Sequence, residues 1–146
     1  MPPWTSQDFL VIAAQRMHAA DVLFQYGLYL DAAYIVGYAV ECSLKALIME
    51  HTAVEKRSQQ LARITRGATM HRPETLVGIL HGELGVQLPE KIVERFRRQS
   101  FAWSVDLRYE TGRGDKNATE ALFETARMIY EFVSQQLSGD RHESKH

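Results

Sequence analysis

The chain has 146 residues, with 17 basic and 18 acidic side chains, a formal charge of -1 and 45% hydrophobic content. That fits one domain with a real core, excludes a disordered chain, and gives no global charge signal for or against nucleic acid. The single cysteine, Cys42, excludes an intrachain disulfide and suits a reducing, cytoplasmic setting.

The opening MPPWTSQDF lacks the basic segment and apolar run of a secretory signal. No stretch is expected to be both long and uncharged enough to span a bilayer. Pro2 and Pro3 hold the start extended. Thr5 or Ser6 is expected to cap a helix running from about Gln7 to Tyr26, with Asp8 in its first turn and Phe9, Ile12, Ala13, Ala20, Leu23 and Phe24 facing inward. Gly27 ends it. The turn is so short that the next helix must return antiparallel.

That next helix, Tyr29 to His51, is the centre of the sequence. Asp31 is its expected cap. Ala33, Val36, Val40, Leu44, Leu47 and Ile48 recur at helical spacing, and Ile35, Ala39, Cys42, Ala46 and Met49 run beside them. A helix apolar on most sides is a core helix. One stripe differs: Tyr34, Tyr38, Glu41 and Lys45 follow at steps of four, three and four. Glu41 four residues before Lys45 is the favourable order for an ion pair, contributing about 0.2–0.5 kcal/mol on an exposed helix.

Thr52 to Thr69 is polar and shows no apolar face. A loose helical extension over 53–64, broken at Gly67, is the expectation, with mobility there. His71 opens a new element and Pro73 fits a first helical turn, followed by Leu76, Val77, Ile79 and Leu80 up to Gly82. Pro89 opens another helix with Ile92, Val93, Phe96 and Trp103 inward and Lys91, Glu94, Arg95, Arg97 and Arg98 outward. It fades near 106–109, before the turn TGRGDKN. The last helix is expected from about Ala118 to Leu137, with Leu122, Ala126, Ile129, Val133 and Leu137 in one stripe. A frayed polar tail follows over 139–146. The whole is a single all-α domain, its core spanning about 7–138, with four clear helices, one short one and no strand.

The run Gly27-Leu-Tyr-Leu-Asp-Ala-Ala-Tyr, ahead of Gly37-Tyr-Ala-Val-Glu-Cys-Ser-Leu-Lys-Ala-Leu, resembles the HEPN superfamily pattern of a helix break followed by A-x-x-x-A-x-E-x-x-L-K-A-L. His71 with Leu76 to Leu80, and Leu107-Arg108-Tyr109 as an "aRY" motif, continue the resemblance in order. The resemblance implies a four- to five-helix up-and-down bundle that pairs as a homodimer. It also implies either a metal-independent endoribonuclease, built on an Arg and a His four to six residues further on, or a non-catalytic module. Such a module binds a nucleotide, RNA or a partner protein. A small nucleotidyltransferase, as antitoxin or complex partner, is the partner the family suggests, in toxin–antitoxin or phage-defence settings.

The spacing of Arg66 and His71, in RGATMH, matches the catalytic motif, but it falls before the third helix instead of late in the chain. The late candidate, Arg108, is followed by YETGRGDKNATE, with no His. In a ribonuclease, the His would exchange protons with the ribose hydroxyl and the leaving oxygen, and the Arg would balance phosphate charge. Tyr38, Glu41, Lys45, Arg108 and Tyr109 are the candidate ligand-binding residues. The blander alternative makes Glu41 and Lys45 a structural ion pair and His71 a residue of the helix start. Arg95, Arg97, Arg98, Arg108 and Arg113, with Phe101 and Trp103 among them, are the basic concentration that single-stranded RNA would want. No cysteine cluster, HExxH or P-loop occurs, so no metal or cofactor is expected.

Overall fold

The computed structural model describes residues 5–99 and 112–144. Within them lie six helices: α1 (Ser6–Gln25), α2 (Tyr29–Glu50), α3 (Arg57–Ile64), α4 (Pro73–Gly78), α5 (Glu90–Gln99) and α6 (Lys116–Ser144). No strand occurs among the described residues. The fold is the expected all-α bundle.

Thr5, not Ser6, caps α1. Its hydroxyl accepts from the Asp8 amide and the Asp8 carboxylate accepts from the Thr5 amide, both at 3.1 Å, which forms a capping box. At the other end, Gly27 takes φ +77. The amides of Leu28 and Gly27 close onto the carbonyls of Leu23 and Phe24 at 3.0 and 2.9 Å, the glycine-dependent stop that turns the chain back. Ser6 then donates to Glu50 at 2.8 Å, so the start of α1 meets the end of α2 and the two are antiparallel. Small residues are buried on both helices, Ala13 and Ala20 on α1, and Ala32, Ala39, Ser43 and Ala46 on α2. Side chains of this size let helix axes approach closely.

Asp31 does not cap α2; it lies in the first turn, and the N-cap Leu28 makes no side-chain bond. The cap comes from far along the chain. The Arg113 carbonyl accepts from the Leu30 amide at 2.6 Å, and Thr119 Oγ1 donates to the Tyr29 carbonyl at 3.1 Å. This satisfies one of the amides a helix start leaves unpaired, and it sets α6 parallel to α2. Gly114 makes the approach possible. It takes φ +84, and a Cβ there would lie 2.7 Å from the Leu30 nitrogen.

α2 is long and apolar enough to cross a bilayer by length and composition, contrary to the sequence expectation. Its apolar surface is instead taken up by the bundle: Val36, Val40, Leu44, Leu47 and Ile48 are fully buried. The α6 stripe Leu122, Ala126, Ile129, Val133 and Leu137 is buried as expected. Fully burying one such large side chain is worth roughly 1.5–3 kcal/mol.

Three further expectations change. The stretch over 53–64 forms a 3-10 turn, Val54–Lys56, running into a full helix, α3. Ile64 is fully buried and Leu61 packs against the core. These two apolar anchors hold a short element whose remaining ties are polar: Arg57 Nε donates to the Thr52 carbonyl at 3.1 Å, and Arg63 grips Glu83 with two bonds at 2.8–2.9 Å. The element after His71 ends in a π-turn, Ile79–Glu83, closed by Leu84 N to Ile79 O at 3.0 Å. And α6 runs on to Ser144 where an end near Leu137 is expected, since extending an existing helix is far easier than starting one.

Candidate functional site

Glu41 is the centre of the site. It is 7% exposed and its partner Lys45 is 4% exposed. Lys45 Nζ donates to Glu41 Oε2 at 2.8 Å. Two charges removed from water this far persist only when paired, because unpaired burial is strongly unfavourable. The i,i+4 spacing of one buried helix therefore turns a weak surface interaction into a core requirement.

The same carboxylate oxygen meets a third group, His71 Nδ1, at 3.1 Å. His71 closes a 3-10 turn, Ala68–His71. Pro73 at the start of α4 biases Arg72 toward extended backbone, observed at φ -92 and ψ 123. That break, with α4 anchored by buried Pro73 and Leu76, brings the ring over α2. An ionised Glu41 orients the ring with its proton on Nδ1, leaving Nε2 as an acceptor in the neutral imidazole. The His71 side chain is 46% exposed, so it joins solvent to a buried ion pair.

Further toward the start of α2, the Tyr34 and Tyr38 hydroxyls lie 2.7 Å apart and their rings meet edge to face at 5.2 Å. The stripe thus grades from two partly exposed phenols to a buried ion pair. Cys42 lies beside it with its thiol pushed up to about 11, first by burial and then by the Glu41 charge. It is an inert thiol at neutral pH.

The structure brings Glu41, Lys45 and His71 together and pairs Tyr38 with Tyr34. Arg66 is exposed in the turn after α3, five residues before the half-exposed His71, with no hydrogen bond or ion pair between the two among the described residues. Arg108 and Tyr109 lie outside the described residues, as do Phe101 and Trp103. Arg95 is not simply outward; it donates to Thr125 Oγ1 at 3.3 Å and pairs with Glu124, tying α5 to α6. Arg98 pairs with Glu94. The arginines that suggest RNA in the sequence are thus in part structural.

The His71–Glu41 contact has no signature in the sequence, because the two residues are 30 positions apart and no local pattern links them. No group of three His, Cys, Asp or Glu residues able to hold a metal occurs among the described residues.

No curated protein matches this chain, and no solved structure does. The family model described as HEPN domain matches residues 6–137, from the first residue of α1 to buried Leu137 of α6. Nearly the whole bundle lies within the match, and the chain belongs to the HEPN family.

Proposed function

We propose that this HEPN domain is a binding module for a nucleotide or a short RNA segment, with Tyr38, the exposed edge of His71 and the Glu41–Lys45 pair beneath it forming the ligand recess. The observation that carries this reading is the shared oxygen of Glu41. Lys45 and His71 both bind it, which holds the half-exposed ring over a fixed polar pair. A fixed polar pair under a half-exposed imidazole suits recognition of a phosphate or a ribose hydroxyl. Arg108 and Tyr109, outside the described residues, remain ligand-binding candidates of this proposal from the sequence alone. Pairing as a homodimer, and docking of a small nucleotidyltransferase, belong to the same reading.

One observation favours a second reading, a metal-independent endoribonuclease acting as a toxin or in phage defence. A carboxylate-held Nδ1 leaves Nε2 able to take the proton from a ribose 2′-hydroxyl as it attacks phosphorus, and to return it to the departing 5′-oxygen. Arg66, five residues earlier and exposed, would balance phosphate charge.

The experiment is cleavage of an end-labelled RNA pool in EDTA by the wild type and by Arg66→Ala, His71→Ala and Arg108→Ala, followed by ATP and RNA binding with the same proteins. The binding module predicts no cleavage by any of them and weaker binding by His71→Ala. Cleavage lost in both Arg66→Ala and His71→Ala overturns it in favour of the nuclease.

A further inference from the structure

Between the π-turn and α5 the chain folds back on the π-turn as a ladder. The amides of Leu84, Val86 and Leu88 donate in turn to the Ile79 carbonyl at 3.0 Å, the Leu80 carbonyl at 2.8 Å and His81 Nε2 at 3.3 Å. The first two acceptors are backbone, and the third is a side chain. Leu84 and Val86 are half-buried and Leu88 is buried, while Gly85 and Gln87 between them are exposed. The ladder ends where α5 begins: the Pro89 carbonyl accepts from Ile92 and Val93 at 2.9 and 3.1 Å. Leu88 is thus the core anchor just ahead of α5, and an imidazole holds its amide.

A backbone amide can only donate. His81 Nε2 therefore presents a lone pair, which makes the ring neutral with its proton on Nδ1. A protonated imidazole has two donors and no acceptor, so a proton on Nε2 removes the last rung and sets two N–H groups against each other. His71 is the opposite case: its Nδ1 meets a carboxylate, a contact that a protonated ring also makes. The charged and titratable groups on the elements around His81 are Glu83 on the π-turn, Arg63 on α3, His51 at the end of α2, Glu74 on α4, and Glu90 and Lys91 at the head of α5. His51, Arg63 and Glu83 line one groove, and Glu83 is committed to Arg63 by two bonds. None of the six bonds to or pairs with His81 among the described residues. No carboxylate there offsets a charge on the ring.

We propose that His81 is an acid-sensitive latch on the connection between α4 and α5. The neutral ring pins the Leu88 amide and with it the head of α5. The protonated ring releases both. Further along α5, Arg95 bonds Thr125 and Glu124 of α6, so release is confined to the head of the helix. The inference concerns the opposite end of α4 from His71 and is independent of the recess on α2.

The test is amide hydrogen exchange by NMR, as protection factors corrected for intrinsic exchange, from about pH 7.5 to about pH 5, the span in which an imidazole ordinarily gains its proton. Wild type is compared with His81→Gln, whose side-chain oxygen accepts at either pH. In the wild type, Leu88 protection is expected to fall about fivefold, the equivalent of one ordinary hydrogen bond, while Leu84 and Val86 keep theirs. In His81→Gln the Leu88 value is expected to stay level. A level Leu88 value in the wild type, an equal fall in His81→Gln, or an equal fall at all three rungs overturns the proposal. Ring nitrogen shifts of the wild type give a check that needs no variant: they should show the proton on His81 Nδ1 at about pH 7.5, and a proton on Nε2 there overturns the latch.

Discussion

The trio α1, α2 and α6 and the flank formed by α3 and α4 are held by different forces. The trio consists of long helices whose facing stripes are fully buried and whose ends are tied to one another, Ser6 to Glu50 and Arg113 to Leu30. The flank consists of helices of eight and six residues, too short to persist without tertiary support. It is fixed by a few apolar anchors, by Arg63–Glu83 and by His71 reaching Glu41. The trio buries its facing stripes, while the flank leaves cations and a half-exposed histidine in water.

The contrast is tested most severely by striking the two regions alike. Glu41→Gln leaves Lys45 buried without its counter-charge and should lose about 3–5 kcal/mol, whereas His71→Ala, on the exposed side of the same oxygen, should lose only about 1 kcal/mol. Urea unfolding reads both, and comparable losses would mean that His71 is as structural as the core. Leu47→Ala, at a fully buried site, should lose about 2–5 kcal/mol; Leu61→Ala in α3 should lose less than half as much.

Gly114→Ala probes the long-range cap. Positive φ and a Cβ against the Leu30 backbone should together destabilise by about 2 kcal/mol, with faster amide exchange in the first turn of α2. A stability equal to wild type would show that the loop can leave α2 freely.

The smallest effects are those of pH. The Cys42 thiol is pushed up to about 11 by burial. Between pH 9 and about 11 the unfolded chain sheds a proton that the folded chain keeps, so stability should fall as pH rises through that window; Cys42→Ala should flatten the fall. On the flank, the Arg63 guanidinium bonded to Glu83 holds its carboxyl below the usual carboxylate range. Its contribution is present above that range and lost as pH falls through the lowered value. Because both partners are exposed, Glu83→Gln should change stability by no more than about 1 kcal/mol, and less in high salt.

The helices of the trio, the glycine stop at Gly27 and the shared stripe from Tyr34 to Lys45 are all legible in the amino-acid order. Each follows from residues within a few turns of one another, where 3.6-residue periodicity and capping chemistry act directly. Other features arise only when distant parts of the chain meet. Asp31 gives way to the Arg113 carbonyl as partner of the α2 start, because a loop distant in sequence can reach that amide. α3 forms on only two apolar residues, because Leu61 and Ile64 meet the core and an ion pair ties the helix to the π-turn. Glu41 meets His71 across 30 residues, because a proline-set break at Arg72 turns that ring back over the central helix, where burial makes a third polar partner favourable.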